Sequence, residues 1–157
     1  MTGKIFIGVG SNLGDRFANI QKARERLQIP LVRSSGFFET EPVGFLDQPW
    51  FINLVWEVRS DLDPLDLLSE CQRVERLLGR ERIVPKGPRT LDLDLLFYND
   101  LVLQHPDLTL PHPAIADRRF VLEPLNEIAP DFLHPVLRKT VAQLLRECQD
   151  PSAVRKL

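Results

Sequence analysis

The sequence has few of the residues on which disulfide frameworks and soft-metal centres depend. It contains 2 cysteines and 3 histidines in 157 residues. Cys71 and Cys148 are far apart and each has leucines nearby, so we expect buried thiols in a reducing compartment and neither a disulfide nor a cysteine metal site. His105 and His134 stand apart from the other motifs and are predicted to lie on the surface.

A strong excess of charge and a long hydrophobic run are also missing. The net charge is -2 and the isoelectric point is near 5.9, so a general attraction to nucleic acid or to an anionic membrane is not expected. The first residues do not combine a basic region with a long apolar segment, which predicts neither a signal peptide nor a membrane span. We therefore expect a cytoplasmic protein without nucleic-acid or membrane partners, and a monomer.

Hydrophobic periodicity predicts an α+β fold of one domain over residues 1–157. Strands are expected at 4–9, 31–40, 50–59 and 92–98, and helices at 15–28 and 63–78. This βαββαβ order predicts a ferredoxin-like core, a mainly antiparallel sheet with helices packed on one face. Short strands near 101–103 and 108–110, a helix after Pro113 and a last helix from Thr140 are C-terminal additions, and the tail from Asp150 is predicted to fray.

The stretch from Gly87 to Tyr98 places two acids on one face of a strand. Side chains alternate along a strand, so Asp92 and Asp94 point the same way, while Leu91, Leu93, Leu95 and Phe97 point into a core. Two carboxylates this close repel each other unless a positive charge lies between them. The pattern indicates either a Mg²⁺ site or a solvated acidic face.

The segment just before this strand favours the first interpretation. Residues 80–89 contain Arg80, Arg82, Lys86 and Arg89 among glycine and proline. Such a basic loop is consistent with solvated charge, but beside a carboxylate pair it matches the needs of a polyphosphate, because arginine binds phosphate oxygens in pairs and Mg²⁺ bridges phosphate to carboxylate.

Other polar residues leave alternatives open. Asn53 lies among apolar strand neighbours and needs a partner, either backbone or a ligand. Gln72 and Glu75 share one flank of a helix and are either solvated or at the edge of a site. His112 at a helix start, with Arg118 after it, is a candidate to face phosphates. The Gly10-Ser11-Asn12 turn is predicted to be structural, since it lacks the phosphate-loop spacing.

Taken together, the motifs resemble those of the 6-hydroxymethyl-7,8-dihydropterin pyrophosphokinase family of folate biosynthesis. The resemblance covers nearly the whole chain. Its motifs are Gly10-Ser11-Asn12-Leu13-Gly14, Thr40-Glu41-Pro42-Val43-Gly44, Asp47-Gln48-Pro49 with Phe51 and Asn53, Gln72-Arg73-Val74-Glu75, Gly79-Arg80-Glu81-Arg82, Gly87-Pro88-Arg89-Thr90-Leu91-Asp92-Leu93-Asp94-Leu95-Leu96, and Pro111-His112. The family usually has a basic residue two positions before Gly87, where this chain has Pro85, and its loop is a residue longer in some members.

The resemblance implies transfer of pyrophosphate from ATP to the pterin hydroxymethyl group, with release of AMP. It implies two Mg²⁺ ions on Asp92 and Asp94, and it makes Arg80, Arg82 and Arg89 similar to catalytic arginines. The implied ATP-binding residues are Gln72, Glu75, Leu95, Thr109, His112 and Arg118. The implied pterin-binding residues are Thr40, Val43, Phe51, Asn53 and Phe120.

Two other functions match the sequence less well. A nucleotidyltransferase pairs Gly-Ser with an Asp-x-Asp strand at short spacing, whereas Gly10-Ser11 and Asp92 are far apart in this sequence. A nucleic-acid-binding module on a ferredoxin-like sheet has a basic face and a paired aromatic strand signature, which a mildly acidic chain without that signature does not match.

Overall fold

An antiparallel sheet organises the chain, in a computed structural model that describes residues 3–42, 47–79 and 90–157. Over these residues, six strands form one sheet and two form a separate hairpin. The strands are β1 (Ile5–Ser11), β2 (Leu31–Ser34), β3 (Phe38–Thr40), β4 (Phe51–Val58), β5 (Asp92–Tyr98), β6 (Leu103–His105), β7 (Leu108–Leu110) and β8 (Val154–Lys156). The sheet order is β5-β1-β4-β3-β8, with β2 also paired to β4, and β6 pairs with β7. This order confirms the predicted α+β class and its antiparallel core.

Three of the four helices in the described residues begin at a side-chain cap. The four helices are α1 (Arg16–Arg26), α2 (Pro64–Leu77), α3 (Arg119–Ile128) and α4 (Val141–Glu147), with a short 3-10 turn at Ile115–Asp117. Asp15, Asp63 and Thr140 accept hydrogen bonds from the first-turn amides of α1, α2 and α4 at 3.1, 2.9 and 3.2 Å. Each bond satisfies an amide that the helix itself leaves unpaired. Within the described part of the chain, none of the helices is long and apolar enough to cross a bilayer.

Helices cover both faces of the sheet: α1 and α2, the two helices of the predicted core, share one face as expected, and the C-terminal helices cover the other. One core joins α1 and α2 to strand residues such as Ile7 and Trp56. The other core joins α3 and α4 to Phe6, Val55 and Leu96, which alternate with the first set. The second face is apolar along these strands, and the C-terminal additions bury it.

Three strand predictions need correction. Strand β1 continues through Gly10 to Ser11 instead of stopping at Val9. The predicted strand 31–40 is divided at Ser35, where the amide and hydroxyl of that residue bond to the backbone of Val55 at 2.9 Å each. The register between β1 and β5 shifts opposite Leu96, so Phe97 packs in the α3–α4 core, on the face opposite to Leu93 and Leu95.

Two predictions about exposure are also wrong. The tail does not fray, because Val154–Lys156 pairs with β3 as an edge strand. His134 is buried, with 6% of its surface exposed, and its ring packs edge-on against Phe97 at 5.5 Å.

Candidate active site

A cavity of about 330 Å³ lies over the sheet, between its middle strands and the start of α3. Strands β1, β4 and β5 form its floor, the end of β3 forms one side, and residues 114–121 form another. Its lining brings together predicted site residues from distant parts of the sequence: Thr40, Phe51, Asn53, Asp92, Asp94, Arg118 and Phe120. Sheet topology therefore unites the acidic strand with residues expected to contact a pterin.

Asp92 and Asp94 face the cavity beside a strip of sheet that carries no side chains. Their cross-strand neighbours on β1 are Gly10 and Gly8. Glycine inside a strand marks a site of close approach, and here it leaves space next to both carboxylates. The sequence interpretation did not assign Gly8 and Gly10 to the site, although their alternation within a strand was a readable signal.

Asn53 has a side-chain partner that the sequence did not identify. Its Nδ2 donates to Oγ1 of Thr40 at 2.6 Å, and Thr40 is buried. A Cβ atom added to Gly10 would lie 2.5 Å from Oδ1 of Asn53. The Asn53 side chain thus lies between the Thr40 hydroxyl and the backbone of Gly10, and its amide group faces the cavity.

Two aromatic rings and an arginine line the sides of the cavity. Phe51 begins β4 and Phe120 lies in the first turn of α3. The guanidinium of Arg118 lies over the Phe120 ring, 5.5 Å from its centroid. A cation over a ring face is attracted by the ring quadrupole, so Arg118 and Phe120 support each other at this wall.

His112 is a neutral imidazole at ordinary pH. The pKa of His112 is lowered to about 4, mainly by burial and also by the charge of Arg118, while Asp92 acts in the opposite direction. Its Nδ1 accepts a hydrogen bond from the amide of Ala114 at 3.2 Å, which leaves the ring proton on Nε2. His112 is therefore an uncharged hydrogen-bond donor whose charged neighbours include Asp92 and Arg118.

Apart from Arg118, the predicted ATP-binding residues do not line this cavity. Glu75 is buried and accepts a hydrogen bond from the Leu93 amide at 2.8 Å, which ties α2 to the start of β5. Gln72 is exposed on α2, Thr109 is exposed on the β6–β7 hairpin, and Leu95 is buried in the α1–α2 core. Val43, Arg80, Arg82 and Arg89 lie outside the described residues.

A hydrogen-bond network that the sequence did not predict joins the turn after β1 to the segment before β4. Nδ2 of Asn12 donates to Oε1 of Gln48 at 2.8 Å and to the carbonyl of Pro49 at 2.9 Å. Asn19 of α1 donates to Oγ of Ser11 at 3.2 Å and to the Leu13 carbonyl at 2.7 Å. These bonds fix the end of the segment that leads into Phe51.

Comparison with known sequences identifies the family of this chain. Residues 6–130 match the sequence profile of HPPK, described as 7,8-dihydro-6-hydroxymethylpterin-pyrophosphokinase. The chain belongs to this family. Similar HPPK proteins include the 2-amino-4-hydroxy-6-hydroxymethyldihydropteridine pyrophosphokinases of Aquifex aeolicus, 37% identical over 145 residues and 91% of each chain, and of Haemophilus influenzae, 36% identical over 154 residues and 96% of each chain.

Larger relatives contain an HPPK-like part. The folic acid synthesis protein fol1 of Pneumocystis carinii is 39% identical over 149 residues, which are 93% of this chain and 20% of that protein. This chain thus spans about a fifth of fol1. A crystal structure of an HPPK-DHPS protein in complex with substrates superposes with a TM-score of 0.73 at 14% identity, covering 93% of this chain and 43% of that one. That likeness shows an HPPK fold.

Proposed function

We propose that this chain transfers pyrophosphate from ATP to the hydroxymethyl group of 6-hydroxymethyl-7,8-dihydropterin, with release of AMP, in folate biosynthesis. One observation carries the proposal: in a member of the HPPK family, a single cavity joins the carboxylates of Asp92 and Asp94 to a ring-lined recess at Asn53. The first feature suits a metal-bound triphosphate and the second suits a flat heterocycle with hydrogen-bonding edges.

The pterin is proposed to bind between Phe51 and Phe120. Offset stacking on aromatic faces is favourable for a flat ring system. The amide of Asn53, already held by Thr40 at 2.6 Å, would bond the polar edge of the pterin, and a held amide loses less conformational entropy on binding than a mobile one. The backbone of Thr40 and Val43 is assigned to the same edge by family resemblance.

The residues present fit the Mg²⁺ ions that the family resemblance implies. Within the described residues, no group of three or more histidine, cysteine, aspartate or glutamate side chains is arranged to hold a metal. Mg²⁺, however, is commonly held by one or two carboxylates together with substrate phosphates and water. Asp92 and Asp94 beside bare glycine backbone meet that need, and we propose that they hold two ions. Bound there, the ions would neutralise triphosphate charge.

In the proposed reaction, the pterin hydroxyl oxygen attacks the β-phosphorus of ATP. A new O–P bond forms, the bond from the β-phosphorus to the oxygen bridging to the α-phosphate breaks, AMP leaves and the hydroxyl proton is lost. Positioning and charge stabilisation supply most of the catalysis in such transfers. Asp92 and Asp94 are the candidates to receive the proton.

Cationic and neutral donors would bind the phosphates. Arg118 brings a charge to the cavity wall, and the neutral His112 offers an Nε2 proton. By family resemblance, Arg80, Arg82 and Arg89 are catalytic, and Gln72, Leu95 and Thr109 contact ATP. The bond from Glu75 to Leu93 supports a role for Glu75 in fixing the strand that carries the carboxylates.

The identity of the nucleotide product tests the proposal. Incubation with Mg-ATP and 6-hydroxymethyl-7,8-dihydropterin is expected to yield AMP and the pterin pyrophosphate. Formation of ADP, or release of free pyrophosphate with a nucleotidyl product, would overturn it. Asp94→Ala is expected to lose most turnover even at saturating Mg²⁺, whereas Asp131→Ala, at an exposed turn, serves as a matched control. Near-normal turnover of the first variant would reject the metal assignment.

Three broader expectations stay predictions. The free, buried thiols of Cys71 and Cys148 are in keeping with a reducing compartment such as the cytoplasm. We expect a monomer, which light scattering would test. We also expect residues 1–157 to form one domain that unfolds in a single transition, which denaturant unfolding would test.

A further inference from the structure

The C-terminal strap, defined as residues 148–157, does not line the cavity but packs behind strand β3, which supplies Thr40 to its wall. Its strand β8 pairs with β3, so that Val154 lies opposite Thr40. The pairing is extended at both ends, because the amide of Glu41 donates to the carbonyl of Ala153 and the amide of Leu157 donates to the carbonyl of Phe37, each at 2.9 Å. Strand β3 is therefore held by the strap along its whole length.

Arg155 of the strap extends this support toward Phe51. It forms an ion pair with Glu39, which also accepts a hydrogen bond from Arg16 of α1 at 3.0 Å. The Arg155 guanidinium lies 5.9 Å from the centroid of a Trp50 ring, and Arg16 donates to the Trp50 carbonyl at 3.0 Å. Trp50 immediately precedes Phe51, so this cluster fixes the backbone from which the Phe51 ring enters the cavity.

The same strap is bonded to α3, which carries the other wall. Nε of Arg119 donates to the carbonyl of Asp150, and its Nη2 donates to the carbonyl of Cys148, both at 3.1 Å. The amide of Arg119 donates to Oδ2 of Asp150 at 3.1 Å. Farther along, Lys156 pairs with Glu127 at 2.7 Å. Arg119 directly precedes Phe120, so these contacts fix the backbone from which the Phe120 ring enters the cavity.

Sheet order separates the strap from the carboxylates. Strands β8 and β5 are at opposite edges of the order β5-β1-β4-β3-β8, which corresponds to about 19 Å at the usual spacing between strands. The strap also lies beyond residue 130, where the match to the family profile ends. Its contacts therefore act on the end of the cavity near Thr40 and Phe120, away from Asp92 and Asp94, and those with Arg119 also adjoin Arg118.

We propose that the C-terminal strap is a positioning element that holds the two walls of the cavity in register and thereby sets affinity for the pterin. The inference rests on the function proposed above. It makes Arg155 and Asp150 positioning residues, which act through β3 and α3 without contacting substrate. Small misplacements of binding groups are costly, so loosening either attachment weakens pterin binding while Asp92 and Asp94 stay in place.

The test compares Arg155→Ala and Asp150→Ala with Lys139→Ala. Lys139 forms an exposed ion pair with Glu147 at 2.6 Å, close to the strap in sequence but without a contact to either wall. In Arg155→Ala and Asp150→Ala, we expect the dissociation constant of the pterin to rise about tenfold, as measured by fluorescence titration.

We expect kcat at saturating pterin to stay within about twofold of wild type in both variants, and KM for ATP to do so in Arg155→Ala, which leaves the Arg119 contacts next to Arg118 in place. Lys139→Ala is expected to match wild type. Arg155→Lys should restore part of the affinity, and tryptophan emission should change in Arg155→Ala only.

Each outcome bears on the proposal. Unchanged pterin affinity in folded Arg155→Ala and Asp150→Ala overturns it. An equal rise in KM for ATP in Arg155→Ala, or a fall in kcat alone in either variant, also overturns it. If either alanine variant fails to fold, Lys156→Ala, which removes the ion pair to Glu127, is judged by the same criteria. Failure of the wild-type protein to bind the pterin rejects the proposed function instead, so the two failures are distinguishable.

Discussion

Gly10 and Gly8 face the same cavity from one strand, yet they differ in what a methyl group would meet. A Cβ atom at position 10 would lie 2.5 Å from Oδ1 of Asn53, whereas at position 8 its nearest contact would be Leu96 at 3.5 Å. The first distance is a clash and the second is an ordinary van der Waals contact. A side chain at position 10 would therefore displace Asn53. A side chain at position 8 would only fill the space next to Asp94.

This contrast predicts the order of two substitutions. In Gly10→Ala the Asn53 amide must move and its bond to Thr40 is strained or lost. We expect pterin affinity to fall about tenfold or more, because a displaced binding group is costly. Gly8→Ala should cost clearly less. Calorimetric titration of both variants checks the order, and a larger loss for Gly8→Ala would contradict it.

His134 makes stability depend on pH at the residue scale. Its Nδ1 accepts hydrogen bonds from the amides of Val136 and Leu137 at 3.2 and 3.0 Å, and burial lowers the pKa of His134 below its usual value. An unfolded histidine titrates near 6.5. Between that value and the lowered pKa the unfolded chain binds more protons, so the free energy of unfolding falls as pH falls.

His134→Asn tests that dependence, because asparagine keeps an acceptor oxygen and does not titrate in this range. Urea unfolding at about pH 7.5 and pH 5 is expected to show a smaller loss of stability in the variant than in wild type. His112, whose pKa is lowered to about 4 mainly by burial, contributes in the same direction and is unchanged in the comparison. An equal loss in both proteins would mean that His134 is not the responsible group.

At the scale of elements, a hydrogen bond between α2 and β5 positions the strand that carries Asp92 and Asp94. Glu75 presents Oε2 to the Leu93 amide, 2.8 Å away, from the buried side of α2. Glu75→Ala leaves that amide without this acceptor, so we expect a loss of about 1–3 kcal/mol in unfolding free energy. We also expect lower kcat, because Leu93 lies between Asp92 and Asp94.

Two matched variants make the Glu75 result specific. Glu75→Gln keeps an acceptor oxygen and is expected to lose less stability than Glu75→Ala. Arg76→Ala, exposed on the same helix, should stay within about 0.5 kcal/mol of wild type. Equal stability of Glu75→Ala and wild type in urea unfolding would show that the contact is dispensable.

Elements with local signals were predictable from the sequence, and those set by distant partners were not. Helix α2 was located because its cap at Asp63 and its Pro64 are adjacent in sequence. Strand β8 was missed, because a short tail with one β-branched residue becomes a strand only by pairing with β3. The orientation of Phe97 was wrong because a register shift is decided between two strands.

The candidate site divides in the same way. Alternation alone placed Asp92 and Asp94 on one face, and they line the cavity together. The partner of Asn53 was open to backbone or ligand, and the structure gives Thr40 from a neighbouring strand. Such a pair depends on strand register, which no single stretch of sequence encodes.

For the whole molecule, the sheet is a layer shared by two cores. Leu67 of α2 is fully buried against one face, and Leu122 of α3 is fully buried against the other. The cavity opens on the second face, beside α3. Its walls are therefore built on a layer whose opposite side is packed by α1 and α2, and the two cores stabilise the floor jointly.

A shared layer predicts that both cores unfold together. Leu67→Ala and Leu122→Ala each remove a fully buried side chain, and each is expected to lower the unfolding free energy by about 2–5 kcal/mol. Unfolding should remain one transition, with coincident curves from tryptophan fluorescence and far-ultraviolet circular dichroism. Val102→Ala, at a side chain 54% exposed, should change stability by less than about 0.5 kcal/mol. A separate early transition in Leu122→Ala alone would show instead that α3 and α4 form an independent layer, and that the cavity wall can melt while the α1–α2 core persists.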